Sequence, residues 1–356
     1  MKKHNFSAGP AILPQSVIEK AAAATLDLDE IGLSILEISH RSAEFKAILS
    51  KARQLVKDLL NLGDNYEVLY LSGGASSQFF MTAMNILQND QTACFVDTGA
   101  WSKKAIKEAK VFGNVDVVAS SADTNYNYIP KGYNIPDNSA YLHLTSNNTI
   151  FGTQFRDFPE VSVPMIGDMS SDIFSRRFDA SKFGVIYAGA QKNMGPAGTT
   201  MVVVDKNLLG KVERTIPTML DYNTHIKKDS AFNTPPVLPI YTCLLTLEWV
   251  VAQGGLEAME VKNQKKADLI YNEIDRNGLF VGTAAKEDRS LMNATFVMKD
   301  DSLNGAFLEA CTAANISGVK GHRSVGGFRA SIYNAMPIES VKVLVDVMQD
   351  FEQKHG

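Results

Sequence analysis

GVIYAGAQKNMGPAG, residues 184–198, is the stretch that decides the fold of this 356-residue chain. An apolar run over 185–188 predicts a buried strand, and a second strand-like run follows at 200–204. Lys192 lies between the two runs, just before a turn rich in glycine and proline. A lysine whose ammonium is poorly hydrated has a lowered pKa and can act as a nucleophile towards carbonyl groups or as a base. Taken alone, however, the stretch favours a plainer interpretation, in which a loop-tip lysine points at water.

Composition is that of an ordinary globular protein, with 45% hydrophobic and 21% charged residues and a net charge of −4. The negative balance argues against a nucleic-acid or anionic-membrane partner, because such binding needs a surplus of Lys and Arg on one face. The N-terminus has no apolar run of the kind found in signal peptides. The longest apolar stretch, 236–252, is short for a membrane span and carries Glu248. We therefore expect a cytoplasmic protein.

The cysteines and histidines indicate neither a disulfide nor a metal centre. Cys94, Cys243 and Cys311 lie far apart in apolar segments, so we interpret them as small buried hydrophobic residues. The six histidines include no i, i+4 pair and none lies near a CxxC motif. We predict no metal site.

Strand-like runs alternate with helical segments through the first 210 residues. The runs are 67–71, 93–96, 115–119, 140–144, 163–166, 185–188 and 200–204. This alternation predicts an α/β fold whose large domain has a mostly parallel sheet covered by helices on both faces. Ligands of such sheets bind beyond the carboxyl ends of the strands. We place the large domain at 15–254 and a smaller C-terminal α/β domain at 255–356. Residues 1–14 are assigned to the smaller domain.

A glycine-rich turn, GGASS at 73–77, separates a predicted strand from a helix predicted over 78–87. Its backbone N–H groups and two hydroxyls converge where the helix dipole favours an anion such as phosphate. The turn matches neither GxGxxG nor GxxxxGK[ST], so it does not specify a dinucleotide or a nucleoside triphosphate. A plain glycine turn with a serine cap explains it about equally well.

Asp168 follows the apolar run 163–167 and is predicted to lie at the carboxyl end of a buried strand. There it could hold a cationic ring nitrogen by a charge-assisted hydrogen bond, or simply cap the next turn. Lys192 comes 192 − 168 = 24 residues later, which is enough for one crossover and one strand. The two side chains could therefore share a pocket on adjacent strands. Trp101 opens a later helix and could stack on a flat ring, although a hydrophobic staple is the commoner use.

Cationic side chains form three groups at His40-Arg41, His322-Arg323 and Arg329. Arginine is preferred for bidentate recognition of carboxylate or phosphate. Such sites in a chain of net negative charge suggest a substrate with two anionic ends. Scattered solvated arginines are the alternative, which fits Arg329 least because it falls within the strand-like run 328–333.

The separate features combine into a phosphate cradle, a ring stacker, an acid for a ring nitrogen, a carbonyl-capturing lysine and anion clamps. Pyridoxal 5′-phosphate (PLP) is the cofactor that has all the complementary parts. We therefore predict a PLP site centred on Lys192.

At this level of detail the chain closely resembles the phosphoserine aminotransferase family, nearly end to end. The motifs are NFSAGPAILP at 5–14, SHRS at 39–42, GGASSQF at 73–79, TGAWS at 98–102, GVIYAGAQKNMGPAG at 184–198, FNTPP at 232–236 and KGHRSVGGFRASIYNAMP at 320–337. The resemblance implies the fold type I architecture of class V aminotransferases and a homodimer with the cofactor site at its interface. It also implies amino transfer between L-glutamate and 3-phosphohydroxypyruvate, and in many bacteria action on an intermediate of pyridoxine synthesis.

The resemblance assigns roles residue by residue. Lys192 would be the Schiff-base lysine, Asp168 would hold the pyridinium nitrogen, and Trp101 would stack on the ring. The other cofactor contacts would come from Thr149, Gln191, the backbone amides of Ala75 and Ser76, and Asn233 and Thr234 of the second subunit. The substrate would be bound by Arg329 at its α-carboxylate, and at its distal phosphate or carboxylate by His40, Arg41, His322 and Arg323. Where some members have an arginine, this chain has Ser76, so one phosphate-binding charge is missing.

Two other readings remain open at this point. Another class V reaction, such as cysteine desulfuration or β-elimination, would need a mobile cysteine over the cofactor, whereas the three cysteines lie in core-like segments. A binding protein that keeps the pocket without catalysis is the second alternative.

Overall fold

Strands and helices alternate through residues 3–356, the part of the chain that the computed structural model describes. Met1 and Lys2, assigned above to the C-terminal domain, lie outside the described residues. The helices are α1 (Gln15–Leu26), α2 (Ala43–Leu60), α3 (Gly74–Ile86), α4 (Ala100–Ala109), α5 (Tyr222–Lys227), α6 (Val237–Ala252), α7 (Gly255–Arg276), α8 (Asn304–Ala313) and α9 (Ile338–His355). The strands are β1 (His4–Asn5), β2 (Tyr66–Leu71), β3 (Thr92–Asp97), β4 (Asn114–Ser120), β5 (Leu142–Thr145), β6 (Asn147–Asn148), β7 (Thr153–Gln154), β8 (Met165–Asp168), β9 (Phe183–Gly189), β10 (Thr200–Asp205), β11 (Phe280–Gly282), β12 (Asn293–Met298), β13 (Ile316–Ser317) and β14 (Phe328–Ser331).

The main sheet has seven strands in the order β2-β10-β9-β8-β5-β3-β4. Only β10 runs antiparallel to its neighbours, so the predicted mostly parallel sheet is confirmed. Successive side chains of β2 point to opposite faces, with Val68 and Tyr70 in one core and Leu69 and Leu71 in the other. Helices α1, α2 and α6 cover the first face, whereas α3, α4 and α5 cover the second.

A second unit is built on the antiparallel sheet β11-β12-β14, packed with α7, α8 and α9. The N-terminal segment joins this unit, because β1 pairs with β13 and Phe6 lies in its core. Helix α7 links the two cores: Met259 packs in the first and Ile270 in the second. The domain boundary near Gly255 stays a prediction. Within residues 3–356 no single helix is long and apolar enough to cross a membrane, and α6 with α7 passes that test only as a pair bent by 84°.

Helix α3 begins at Gly74, four residues before the predicted start at Gln78. The reason is Gly73, whose φ of 101° lets the chain pass from β2 into the helix through Ser72 and Gly73 alone. A Cβ at Gly73 would lie 2.0 Å from Ser77 Oγ, so a larger residue does not fit there. The glycine-rich turn is therefore the first turn of α3.

The turn that carries Lys192 joins the antiparallel strands β9 and β10. It is closed by a hydrogen bond from Gly195 N to Ala190 O at 2.8 Å. A Cβ at Gly195 would lie 2.6 Å from Cys243 Sγ on α6. The close approach of α6 therefore requires a glycine here, and this contact holds the turn against α6.

Gly195→Ala should lower stability by about 1–3 kcal/mol, because the new methyl group overpacks the contact with Cys243. Thermal unfolding of the variant measures this loss. Adding Cys243→Ala should recover part of it, since the clashing sulfur is then gone. Gly305→Ala, at a position where an added Cβ meets nothing within 4 Å, is the matched control. A Gly195→Ala protein as stable as the parent would contradict the packing described.

Candidate active site

The amine of Lys192 is half-buried and donates one hydrogen bond, to Thr149 Oγ1 at 2.6 Å. The pKa of Lys192 is lowered to about 8, because burial and the positive charge of Arg329 outweigh the carboxylates of Asp168 and Asp172, which oppose the shift. Its nitrogen lies 5.8 Å from the centre of the Trp101 ring. Since the bonded partner is a hydroxyl and not a carboxylate, the amine can lose its proton near neutral pH.

Asp168 is the last residue of β8, and its register partner on β9 is Tyr187. The backbone N–H and the hydroxyl of Ser170 both donate to its Oδ1, at 3.0 and 2.7 Å. Burial raises the pKa of Asp168, while the Ser170 bonds and the Lys192 charge oppose that rise. Among the described residues nothing donates to Oδ2. This oxygen is therefore available as an acceptor at the same sheet edge as Lys192.

The first turn of α3 presents the backbone N–H groups of Gly74, Ala75 and Ser76, for which residues 3–356 supply no acceptor. The Ser77 hydroxyl, expected to face an anion, instead donates to Gly73 O at 3.0 Å. The cradle thus consists of backbone donors at the positive end of the helix dipole. It can hold a phosphate without an arginine.

Trp101 lies in the first turn of α4 and is half-buried. Its indole Nε1 is buried and has no hydrogen-bond partner in the described chain. Val325 packs in the same small cluster as Trp101 and Phe151. The loop 320–327, which carries two of the predicted anion-binding residues, therefore lies close to the ring.

Two basic residues of the C-terminal unit, Arg329 and His322, lie near this region. Arg329, on β14, donates from Nη1 to Thr149 O at 3.2 Å, and its buried Nε has no partner among the described residues. Burial lowers the pKa of Arg329, and no carboxylate of residues 3–356 is paired with it. Burial also lowers the pKa of His322, as do the charges of Arg329, Arg323 and Lys104. A half-buried guanidinium without an acid partner is costly, so the site is suited to receive an anion.

Other predicted residues make no described side-chain contact with Lys192 within one chain. His40 is half-buried and Arg41 is exposed just before α2, and neither has a described contact with the site. Asn233 donates to Thr234 O at 3.2 Å in a partly exposed loop. Gln191 accepts a hydrogen bond from Ala11 N at 2.9 Å through its carbonyl, so its role in one chain is to bind the N-terminal segment.

Several residues around the site were missed by the sequence analysis. Ser170 had a local signal, since a serine two residues after an aspartate is typical of an Asx turn. Asn147 and Asn293 had none, because they meet at 2.8 Å from positions far apart in the chain. Tyr333 donates to Ala8 O at 2.7 Å and thereby ties the N-terminal segment to the site.

The residues present fit PLP. The α3 cradle matches its phosphate, Oδ2 of Asp168 matches a ring N–H, the Trp101 indole matches a flat ring, and the Lys192 amine matches an aldehyde. Arg329 is left for a substrate carboxylate.

Comparison with known proteins agrees with this reading. A model of the family described as aminotransferase class-V matches residues 3–344. The phosphoserine aminotransferase of Flavobacterium psychrophilum is 59% identical over 99% of this chain and 100% of its own length. That of Parabacteroides distasonis is 58% identical over the whole of both chains. Among solved structures, phosphoserine aminotransferase from Bacillus circulans subsp. alkalophilus has a TM-score of 0.97 at 48% identity, covering 100% of this chain and 99% of that one. The PLP-bound phosphoserine aminotransferase of Trichomonas vaginalis has a TM-score of 0.93 at 36% identity, covering 98% and 100%.

Reductive methylation of the cofactor-free protein should label Lys192 with a pH midpoint near 8, because only the neutral amine reacts. Mass spectrometry of the Lys192 peptide across pH 6–11 measures the midpoint. Arg329→Met should move it upward, since the guanidinium charge favours the neutral amine. A midpoint at the usual lysine value of about 10.4 would contradict the desolvated setting of this amine.

Proposed function

The chain belongs to the class-V aminotransferases and, within them, to the phosphoserine aminotransferase family, and on this basis we propose a specific reaction for it. It transfers the amino group of L-glutamate to 3-phosphohydroxypyruvate, giving O-phospho-L-serine and 2-oxoglutarate. The observation that carries the proposal is the Lys192 amine, which has a lowered pKa and on which the charges of Asp168 and Arg329 both act. Lys192 and Arg329 both donate to Thr149, and Asp168 has a carboxylate oxygen to which no described residue donates. An amine, a ring acid and a carboxylate receptor are what transamination requires of a protein.

The cofactor would be held by the described residues at three points. Backbone N–H groups of Ala75 and Ser76 bind its phosphate, Asp168 binds its ring nitrogen, and Trp101 packs on its ring. Thr149 and Gln191 add polar contacts at the edge. Bound PLP supplies an aldehyde that captures amines and a protonated ring that withdraws electrons from the substrate α-carbon.

Lys192 has two tasks in this proposal. Its amine would hold the cofactor through the aldehyde, and it would be free to act as a base while an amino substrate occupies that place. The freed amine then removes the proton from the substrate α-carbon, for which a pKa of about 8 suits it near neutral pH. Thr149 keeps the amine oriented through its hydroxyl.

Substrate recognition rests on the cations. Arg329 binds the α-carboxylate that both substrates share, because its guanidinium has no carboxylate partner of its own. His322 and Arg323, with His40 and Arg41, bind the phosphate of one substrate and the distal carboxylate of the other. The cofactor phosphate is left to backbone donors, because this chain has Ser76 where some members have an arginine. The distal phosphate of the substrate depends on the four side chains just named.

A homodimer would complete the site. His40, Arg41, Asn233 and Thr234 have no described contact with Lys192 in one chain, so we infer that the second subunit supplies Asn233 and Thr234 to the cofactor phosphate. Large apolar side chains near these segments are exposed, among them Leu26 at 84%, Leu36 at 67% and Phe232 at 41%. Their burial in a dimer would be favourable.

The role in the cell follows from the products. We propose that the protein works in the cytoplasm in serine biosynthesis, and that it can also form 4-phosphohydroxy-L-threonine for pyridoxine biosynthesis. That product has the same α-carboxylate and distal phosphate as O-phospho-L-serine.

Cysteine desulfuration is a weaker proposal. The three cysteines are all buried, and burial raises the pKa of each thiol. A buried, protonated thiol is neither mobile nor nucleophilic. The desulfurase alternative therefore lacks its nucleophile.

Purified PLP-loaded protein should form 2-oxoglutarate from glutamate only when 3-phosphohydroxypyruvate is added. Lys192→Ala should lower turnover by about 100-fold or more, because general-base catalysis contributes at least that much. Coupled detection of 2-oxoglutarate measures both. Parallel reactions with L-cysteine test for alanine, the desulfurase product. Absence of 2-oxoglutarate with the parent protein would refute the proposed reaction, and alanine from cysteine would support the alternative.

A further inference from the structure

Lys266 is a second buried lysine, on α7, and the proposed reaction does not use it. It is 2% exposed. Its Nζ donates to Ile332 O at 2.9 Å and to Tyr333 O at 2.6 Å. No carboxylate pairs with it in the described chain, and burial, with the charge of Lys262, lowers its pKa to about 7. A lysine without an acid partner in a protein core is costly to bury, so its two contacts need an explanation.

The carbonyls that Lys266 binds belong to the segment directly after β14, the strand that carries Arg329. The hydroxyl of Tyr333 donates a hydrogen bond to Ala8 O at 2.7 Å. The next residue, Asn334, donates its backbone N–H to Asn193 Oδ1 at 3.0 Å. Asn193 follows Lys192 directly in sequence. Segment 332–334 is thus a physical link between the strand of Arg329 and the turn of Lys192.

A lysine suits this task in either protonation state. A charged ammonium has three N–H donors and a neutral amine has two, so both carbonyls stay bonded either way. An apolar side chain of similar length would remove the desolvation cost, but the buried carbonyl of Ile332 would lose its partner, at a cost of about 1–3 kcal/mol. Tyr333 O would keep only its hydrogen bond from Met336 N, at 2.9 Å.

We propose that Lys266 is a positioning residue that clamps segment 332–334, so that Arg329 and the Lys192 turn keep a fixed separation. The proposal deepens the aminotransferase function stated above and rests on it for the meaning of that separation. The geometry itself involves neither cofactor nor substrate.

Lys266→Met is the direct test, and Lys265→Met, an exposed neighbour on the same helix, is the matched control. Without the clamp, amide hydrogen exchange in peptides covering 332–336 should speed up at least about 10-fold, because the Asn334 N–H bond to Asn193 then opens more often. Since Arg329 lowers the pKa of Lys192, loosening its strand should raise the pH midpoint of Lys192 methylation in the cofactor-free protein. The KM for glutamate should rise with a smaller change in kcat, because the carboxylate receptor is displaced. The control should leave all three values unchanged.

A folded Lys266→Met protein with parental exchange at 332–336 and an unshifted Lys192 midpoint would overturn the proposal. If that variant does not fold, Lys266→Gln takes its place. Its shorter chain reaches one carbonyl, so the same changes should appear at smaller size, and parental values would again overturn the clamp. A shifted midpoint combined with no 2-oxoglutarate from the parent protein would support the clamp while removing the proposed substrates.

Discussion

One constraint organises this site: the amine of Lys192 is partly shielded from water without being bonded to a carboxylate. Its hydrogen bond goes to the Thr149 hydroxyl. Asp168, the acid whose charge raises the pKa of Lys192 most, has one oxygen occupied by Ser170. An ammonium bonded to a carboxylate would keep its proton, whereas the pKa of this one is lowered to about 8. The half-buried guanidinium of Arg329, which has no acid partner among the described residues, adds to the effect. In the proposed reaction the same charge would bind a substrate carboxylate.

The constraint depends on a fixed relative position of two structural units. Lys192 lies on a turn of the large sheet, and Arg329 lies on β14 of the smaller sheet. Buried polar contacts join the units: Asn147 to Asn293 at 2.8 Å, and Asn334 to Asn193 at 3.0 Å. Hydrogen bonds are directional where apolar packing is not, so they fix a position and not only a distance. Lys266 belongs to this junction, because it holds the segment through which one of these contacts runs.

The sequence predicted what depends on local pattern. Strand and helix periodicities alternate along the chain, and this led to the mostly parallel sheet and to Asp168 at the edge beside Lys192. The start of α3 was wrong because a positive φ at Gly73 removes the expected loop. The bond from Arg329 to Thr149 joins residues 180 positions apart, and no local signal could reveal it. Lys266 did have a local signal. The buried face of α7 has the i, i+3, i+4, i+7 spacing, at Asn263, Lys266, Ala267 and Ile270. This periodicity indicates that Lys266 is buried, but its charge argued for an exposed position.

Borohydride reduction of the PLP-loaded protein tests the central claim most directly, because it fixes the cofactor irreversibly to whichever amine holds it. Peptide mapping by mass spectrometry then identifies that amine. We predict one phosphopyridoxyl group per chain, on Lys192, and no label in Lys192→Ala protein treated in the same way. A label on Lys266 or on any other lysine, with Lys192 unmodified, would contradict it.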